Sequence, residues 1–320
     1  EDNLMHPAPI KNIAVIGLGT IGHSVAQFFA TGGCTVKCFD PQKEARETAT
    51  SRVHSNLKHM AAAGIVAPDQ IDEIIDRLTI CESLAQALEE AEFVSEAAVE
   101  DLTIKQELFV NLETFVTPET ILASNTSTHP MSQISERMQY RQRALVTHPF
   151  NPPHLLPVIE IVPTAETSES VIDSTMELLK RMGKQPVRLR KELPGFLINR
   201  IQNAMVREVW DLLDQGVASA EDIDVAVRGS LGFRLAAIGP LEVCDFAGLD
   251  IWARVFGNLS KEICSSTNLP TGVQKLVDSG HYGTKTGRGF FDYSEPGRLE
   301  NRTSNRDQSF LQILKLFHTA

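Results

Sequence analysis

The strongest constraint in this chain is a glycine-punctuated run near its start, Asn12 to Asp40, NIAVIGLGTIGHSVAQFFATGGCTVKCFD. Ile13, Val15 and Ile16 form a short β-branched run, the pattern of a strand buried on both faces. Gly17, Gly19 and Gly22 follow as G-x-G-x-x-G. In such a loop the first glycine permits a tight turn, the second lets a pyrophosphate approach the backbone, and the third lets the helix pack close to the strand. Val25, Phe28 and Phe29 then recur at helical spacing, Gly32 and Gly33 stop that helix, and Val36 to Phe39 read as a second strand. It ends at Asp40, about twenty residues past the loop, where an acid accepts hydrogen bonds from an adenosine ribose. No Arg follows directly, since Pro41, Gln42 and Lys43 come next. The run predicts a dinucleotide site preferring NAD to NADP, with Gly17, Gly19, Thr20, Ile21, Gly22 and Asp40 as its contacts. Flavin proteins share the fingerprint, so FAD is the alternative.

A length of 320 residues accommodates about two domains. The net charge of -11 argues against nonspecific binding to nucleic acid or to an anionic membrane surface. No run of about eighteen apolar residues is present, so no membrane span is expected. The five cysteines are odd in number and none pairs as C-x-x-C, which predicts a reducing, cytoplasmic setting. No metal site is expected.

Strand and helix patterns alternate up to about residue 189. After Asp40 they predict helices over 42–63, 68–77, 84–88, 104–115 and 168–182, and strands over 78–81, 93–95, 120–123, 144–146, 156–162 and 185–189. Such alternation implies a Rossmann-type, doubly wound α/β domain with a parallel sheet, whose ligands bind beyond the carboxyl ends of the strands. Ser127 and His148 both fall just past such ends. From Pro194 onward only helical periodicity is found, over 196–213, 219–228, 251–265 and 272–279. The expected domains are residues 1–192, binding dinucleotide, and residues 193–320, all-helical, whose apolar stripes need a covering surface such as a second subunit.

The segment THPFNPPHLLPVIEIV, residues 147–162, carries the chemistry. Four prolines stiffen the connection between His148 and the strand bearing Glu160. A His beside a buried carboxylate has a fixed tautomer and suits proton transfer to or from a hydroxyl during hydride exchange.

With GLGTIG, SNTST, HPFNPP, PGFLINR and GTKTGRGFFDY in this order, the chain resembles the L-3-hydroxyacyl-CoA dehydrogenases over roughly Asn12 to Tyr293. The resemblance implies an NAD-binding domain joined to a helical dimerisation domain, and a homodimer. It implies His148 as the base, Glu160 as its orienting partner, and Ser127 and Asn199 as groups that hold the substrate oxygens. It also implies Glu100, Lys105, Asn151 and Lys285 near the cofactor. Each residue has a plainer structural reading: Ser127 as the cap of a following helix, Glu100 and Lys105 as a solvated helix start, Asn199 as a satisfied core amide.

The resemblance leaves the substrate open. Relatives acting on CoA thioesters use polar and basic residues on the helix after the second strand, where this chain has Ala61, Ala62, Ala63 and Gly64. The stretches His148 to Pro163, Gly183 to Arg188 and Leu231 to Glu242 resemble L-gulonate 3-dehydrogenases and λ-crystallins, and carnitine dehydrogenases share the scaffold. On that branch the substrate is a free 3-hydroxy acid and Arg234 is a candidate to meet its carboxylate. A non-catalytic, λ-crystallin-like role is the reading from a different class.

Overall fold

The computed structural model describes residues 9–318. One eight-stranded sheet runs in the order β3-β2-β1-β4-β5-β6-β7-β8. Its strands are β1 (Asn12–Ile16), β2 (Thr35–Phe39), β3 (Leu78–Ile80), β4 (Phe93–Glu96), β5 (Ile121–Ser124), β6 (Ala144–Pro149), β7 (Val158–Pro163) and β8 (Gln185–Arg188). The helices between them are α1 (Gly22–Thr31), α2 (Lys43–Ala62), α3 (Ile71–Asp76), α4 (Leu84–Leu88), α5 (Leu102–Glu113), α6 (Met131–Ile134) and α7 (Glu169–Arg181).

Strand residues alternate between two cores. Ile13, Val15, Phe93, Ala123 and Leu145 join one cluster, while Ala14, Ile16, Val94, Leu122 and Val146 join the other. Both faces of these strands are therefore apolar, which explains their continuous hydrophobic runs.

Two expectations are corrected here. The sheet is not wholly parallel, because β7 pairs antiparallel with β6 and β8 then runs parallel to β7. His148 lies within β6 rather than past its end, because β6 is extended through Pro149 by this antiparallel pairing.

The helical part comprises α8 (Ile198–Asp214), α9 (Ala220–Val227), α10 (Phe233–Leu235), α11 (Pro240–Ala247), α12 (Leu249–Leu259), α13 (Thr271–Asp278) and α14 (Arg298–His318). Helical periodicity alone does not single out α10, α11 or α14. The chain divides into two compact units, one running to Asn199 and resuming at Asp307, the other spanning Arg200–Arg306. This division lies several residues beyond the expected one near 192, and the final turns of α14 return to the sheet unit. The physical cause is burial: Phe196 is 1% exposed in the second core cluster and Leu311 is 3% exposed in the first. No helix among the described residues is long and apolar enough to cross a membrane.

Candidate functional site

The glycine loop is defined by what surrounds each glycine. Gly17 has φ +98°, and a Cβ there would meet the Ala97 carbonyl oxygen at 2.4 Å. A Cβ on Gly22 would lie 1.8 Å from the Gly17 oxygen, a contact no side chain tolerates. Gly19 differs: a Cβ there meets nothing within 4 Å, so internal packing does not demand a glycine. That open space beside an exposed backbone is what a pyrophosphate needs at the start of α1. Thr20 is exposed and Ile21 half-buried at the N-terminus of α1.

Asp40 closes the loop. Its Oδ2 accepts the Leu18 N–H at 2.7 Å and its Oδ1 accepts the Gln42 N–H at 2.8 Å. Each oxygen retains a lone pair, so the carboxylate can hold the loop and still accept from a ribose hydroxyl. The residues of this loop thus fit the adenosine and phosphate half of NAD. Two cations that spacing did not reveal also converge here from α2. Arg46 donates to the Asp40 carbonyl at 2.8 Å, and Arg52 donates to the Leu18 and Gly19 carbonyls at 2.7 and 3.2 Å. Their positions, six and twelve residues past Asp40, put them on α2, and only the return of that helix across the loop brings them back.

The catalytic candidates are held by the antiparallel register. His148 and Glu160 are directly paired across β6 and β7, so their side chains lie on one face. His148 Nδ1 is 2.7 Å from Glu160 Oε2. Glu160 Oε1 accepts the N–H groups of Leu197 and Ile198 at 3.0 and 2.8 Å. Three contacts of one carboxylate with N–H groups assign the proton to His148 Nδ1 and leave Nε2 as the ring's acceptor. Phe150 packs edge-on to the imidazole with centroids 4.7 Å apart, and Phe196 lies at 5.5 Å.

Phe196 shows how strongly this corner is determined. Its φ of +51° is in the left-handed region, at a cost of roughly 1–2 kcal/mol for a non-glycine residue. Full burial of its ring contributes about 1.5–3 kcal/mol, enough to offset the strain. The bend it makes turns the next two N–H groups onto Glu160. Asn199 follows one residue later, and its Nδ2 donates to the Ser127 carbonyl at 3.2 Å. Sequence carried this signal as P-G-F before a helix, without showing that Glu160 anchors the helix start.

Ser127 is not a helix cap, since α6 begins at Met131 with Pro130 before it. Its loop is fixed by Glu100 instead. Glu100 Oε1 accepts from Thr126 Oγ1 at 2.6 Å, Thr128 Oγ1 at 2.7 Å, and the N–H groups of Ser127 and Thr128 at 3.1 and 3.2 Å. Burial works to raise the carboxyl's pKa, but these hydrogen bonds and Lys105 outweigh it and hold the group at about 2.

Lys105 departs from the expectation of a cofactor contact. It is 1% exposed, and its ammonium bonds Glu96 at 2.8 Å and lies 3.3 Å from Glu100. Glu96, 0% exposed, also accepts from Ser124 Oγ and from the Ala98 N–H. Lys105 thus joins two carboxylates inside the sheet unit, and these pair its buried charge.

Asn151 is exposed on the β6–β7 connection. Lys285 is exposed in a short turn of the second unit. Arg234 is exposed there too, with its Nε 3.4 Å from the Ser230 carbonyl. Among the described residues, no group of three His, Cys, Asp or Glu side chains is placed to hold a metal ion.

Two family models match almost the whole chain: the NAD binding domain of 3-hydroxyacyl-CoA dehydrogenase over residues 12–193, and its C-terminal domain over 195–293. α14 begins beyond the second match. A 5-formyl-3-hydroxy-2-methylpyridine 4-carboxylate 5-dehydrogenase of Mesorhizobium japonicum is 32% identical over 307 residues, 96% of this chain and 98% of that one. A human λ-crystallin homolog is 34% identical over 231 residues, 72% of each chain. A probable 3-hydroxybutyryl-CoA dehydrogenase of Bacillus subtilis is 34% identical over 287 residues, 89% of this chain and 98% of its own. A solved structure of a 5-formyl-3-hydroxy-2-methylpyridine 4-carboxylic acid 5-dehydrogenase, an NAD+-dependent dismutase, matches with a TM-score of 0.90 at 30% identity. That match covers 97% of this chain and 99% of that one.

Proposed function

The chain belongs to the 3-hydroxyacyl-CoA dehydrogenase family and is an NAD-dependent dehydrogenase; from that premise we propose that it oxidises the hydroxyl of a small free hydroxy acid, with His148 as general base. Bound NAD supplies the hydride acceptor. His148 Nε2 takes the hydroxyl proton, and Glu160 holds the tautomer and stabilises the imidazolium that forms. Ser127 and Asn199 hold the substrate oxygens, and their mutual hydrogen bond fixes their spacing. The observation that carries the chemistry is the 2.7 Å contact of His148 with a fully buried Glu160.

The preference for a free acid rests on the end of α2. Ala61, Ala62, Ala63 and Gly64 offer no cation to a CoA phosphate. Ala61, Ala63 and Ile65 pack instead against the core cluster that contains Leu311 of α14. Leu314 of α14 lines a cavity of about 170 Å³ together with Met60, Ile65 and Val66. Leu314 of α14 thus borders the same cavity as the residues at and just beyond the end of α2. The relative acting on a pyridine carboxylate supports a compact free acid as substrate.

NADH absorbance with 3-hydroxybutyryl-CoA, free 3-hydroxybutyrate, L-gulonate and a hydroxymethyl-pyridine carboxylate decides between these. Higher kcat/KM for the CoA ester than for every free acid overturns the substrate reading. Absence of turnover with all four favours a non-catalytic, λ-crystallin-like role.

The same proposal includes a homodimer. In α8 to α13 Val273 alone is buried, and Phe233, Leu241, Phe246 and Phe256 are each exposed by 70% or more. Apolar exposure on this scale supports a second copy as its cover. A monomer mass by light scattering at micromolar concentration would contradict it. The five free cysteines support a reducing, cytoplasmic setting.

A further inference from the structure

The connection between β6 and β7 is irregular, yet two side chains reach it from elsewhere in the sheet unit. Lys184 donates to the carbonyls of Pro153 and Leu156 at 2.6 and 3.1 Å, its ammonium above the Phe28 ring. Its burial lowers its pKa to about 8. The second link runs through three side chains. His154 Nδ1 lies 3.1 Å from Ser24 Oγ, Ser24 Oγ lies 3.3 Å from His23 Nε2, and His23 Nδ1 lies 2.8 Å from the Gly19 carbonyl.

Two partners compete at the inner end of this link. The Gly19 carbonyl can only accept, which favours a proton on His23 Nδ1, whereas the Arg52 guanidinium, 3.1 Å from that nitrogen, can only donate to it. With either tautomer the Ser24 hydroxyl, both donor and acceptor, links His23 Nε2 to His154 Nδ1. Burial, and to a lesser degree Arg52, lowers the His23 pKa, and both tautomers leave the ring neutral. Arg52 shares the same Gly19 oxygen. Gly19 is the glycine whose missing Cβ opens space for phosphate, and the His154 loop begins two residues after His148, at the end of β6.

We propose that His154, Ser24 and His23 form a strap that couples the phosphate-binding loop to the β6–β7 loop, so that His154 is a positioning residue for NAD although it belongs to the catalytic connection. The proposal rests on the reading of that connection as part of the hydride-transfer site. Its test needs only cofactor binding, so it stands or falls separately from the choice of substrate or base.

The test is a double-mutant cycle read by NADH fluorescence titration. His154→Ala and Ser24→Ala should each weaken NADH binding about 3- to 10-fold, as expected for one hydrogen bond in a series. The double variant should be no weaker than the worse single one, because either change breaks the same strap. His154→Asn, which keeps a hydrogen-bonding nitrogen near the Nδ1 position, should restore affinity to near that of the unaltered protein. An unchanged NADH affinity in His154→Ala overturns the proposal, and so do effects that multiply in the double variant. If Ser24→Ala does not fold, His23→Ala takes its place in the cycle with the same expected non-additivity.

Discussion

Glu160 and Glu100 use their oxygens alike but have opposite kinds of partner. Each accepts two backbone N–H groups from a segment bearing a proposed substrate contact: Leu197 and Ile198 before Asn199 for the one, Ser127 and Thr128 for the other. Glu160 then faces an imidazole, whereas Glu100 faces the Lys105 ammonium and two hydroxyls. The difference teaches that, on the proposed mechanism, one carboxylate supports a moving proton, whereas the other keeps a loop still. A carboxylate hydrogen-bonded to a substrate segment is therefore not by itself a sign of acid–base chemistry; its partner decides.

The comparison can be broken most directly at His148. His148→Gln should lower kcat by about 10³-fold while NADH affinity stays near its original value; undiminished turnover would falsify the role of base. Glu160→Gln comes next. Its carbonyl oxygen can keep the Leu197 and Ile198 N–H groups, which turns the amide nitrogen toward His148 and forces the proton onto Nε2. A loss of about 10²- to 10³-fold in kcat is expected, with the fold retained by circular dichroism. Equal kcat in this variant would mean that tautomer control is not Glu160's task.

On the other side, Lys105→Met leaves Glu96 buried without its cation. Stability should fall by about 3–5 kcal/mol, read as a lower urea midpoint. A midpoint unchanged from that of the unaltered protein would show that the Lys105 network is not structural. The smallest effect is that of pH on Glu100. Its folded pKa of about 2 lies below the ordinary 4.5, so its stabilising contribution is complete above 4.5 and is lost as pH falls from there toward 2. Urea midpoints of the unaltered protein and Glu100→Gln should differ at pH 6 and converge below pH 3. A constant difference over that range would rule out the carboxylate's charge as the source of the loop's rigidity.

Much of this was legible beforehand because it is written in local pattern. The alternation of β-branched runs and amphipathic helices located all eight strands to within a few residues. The glycine loop announced its geometry because Gly22 is required by contact with Gly17 within one strand–turn–helix unit; the contact that requires Gly17 comes from Ala97, far along the chain. What remained hidden depended on segments far apart in the chain. The antiparallel sense of β7 has no signature in a run such as VIEIV. Lys105 looks like a solvated helical residue until α5 folds it against Glu96. Arg52 reaches the glycine loop only through the path of α2, and the strap from His154 to Gly19 joins side chains 130 residues apart at one link.

The sequence by itself determined the dinucleotide loop, the alternating α/β order and the identity of the His148 and Glu160 pair, because periodicity, glycine sterics and proline stiffness act over a few residues. Tertiary structure alone decided which face that pair shares, which carboxylate receives a cation instead of an imidazole, and that Leu314 of α14 lines one cavity with Met60 of α2. Those outcomes depend on register and burial, and a charge finds its partner only when the elements carrying both are packed together.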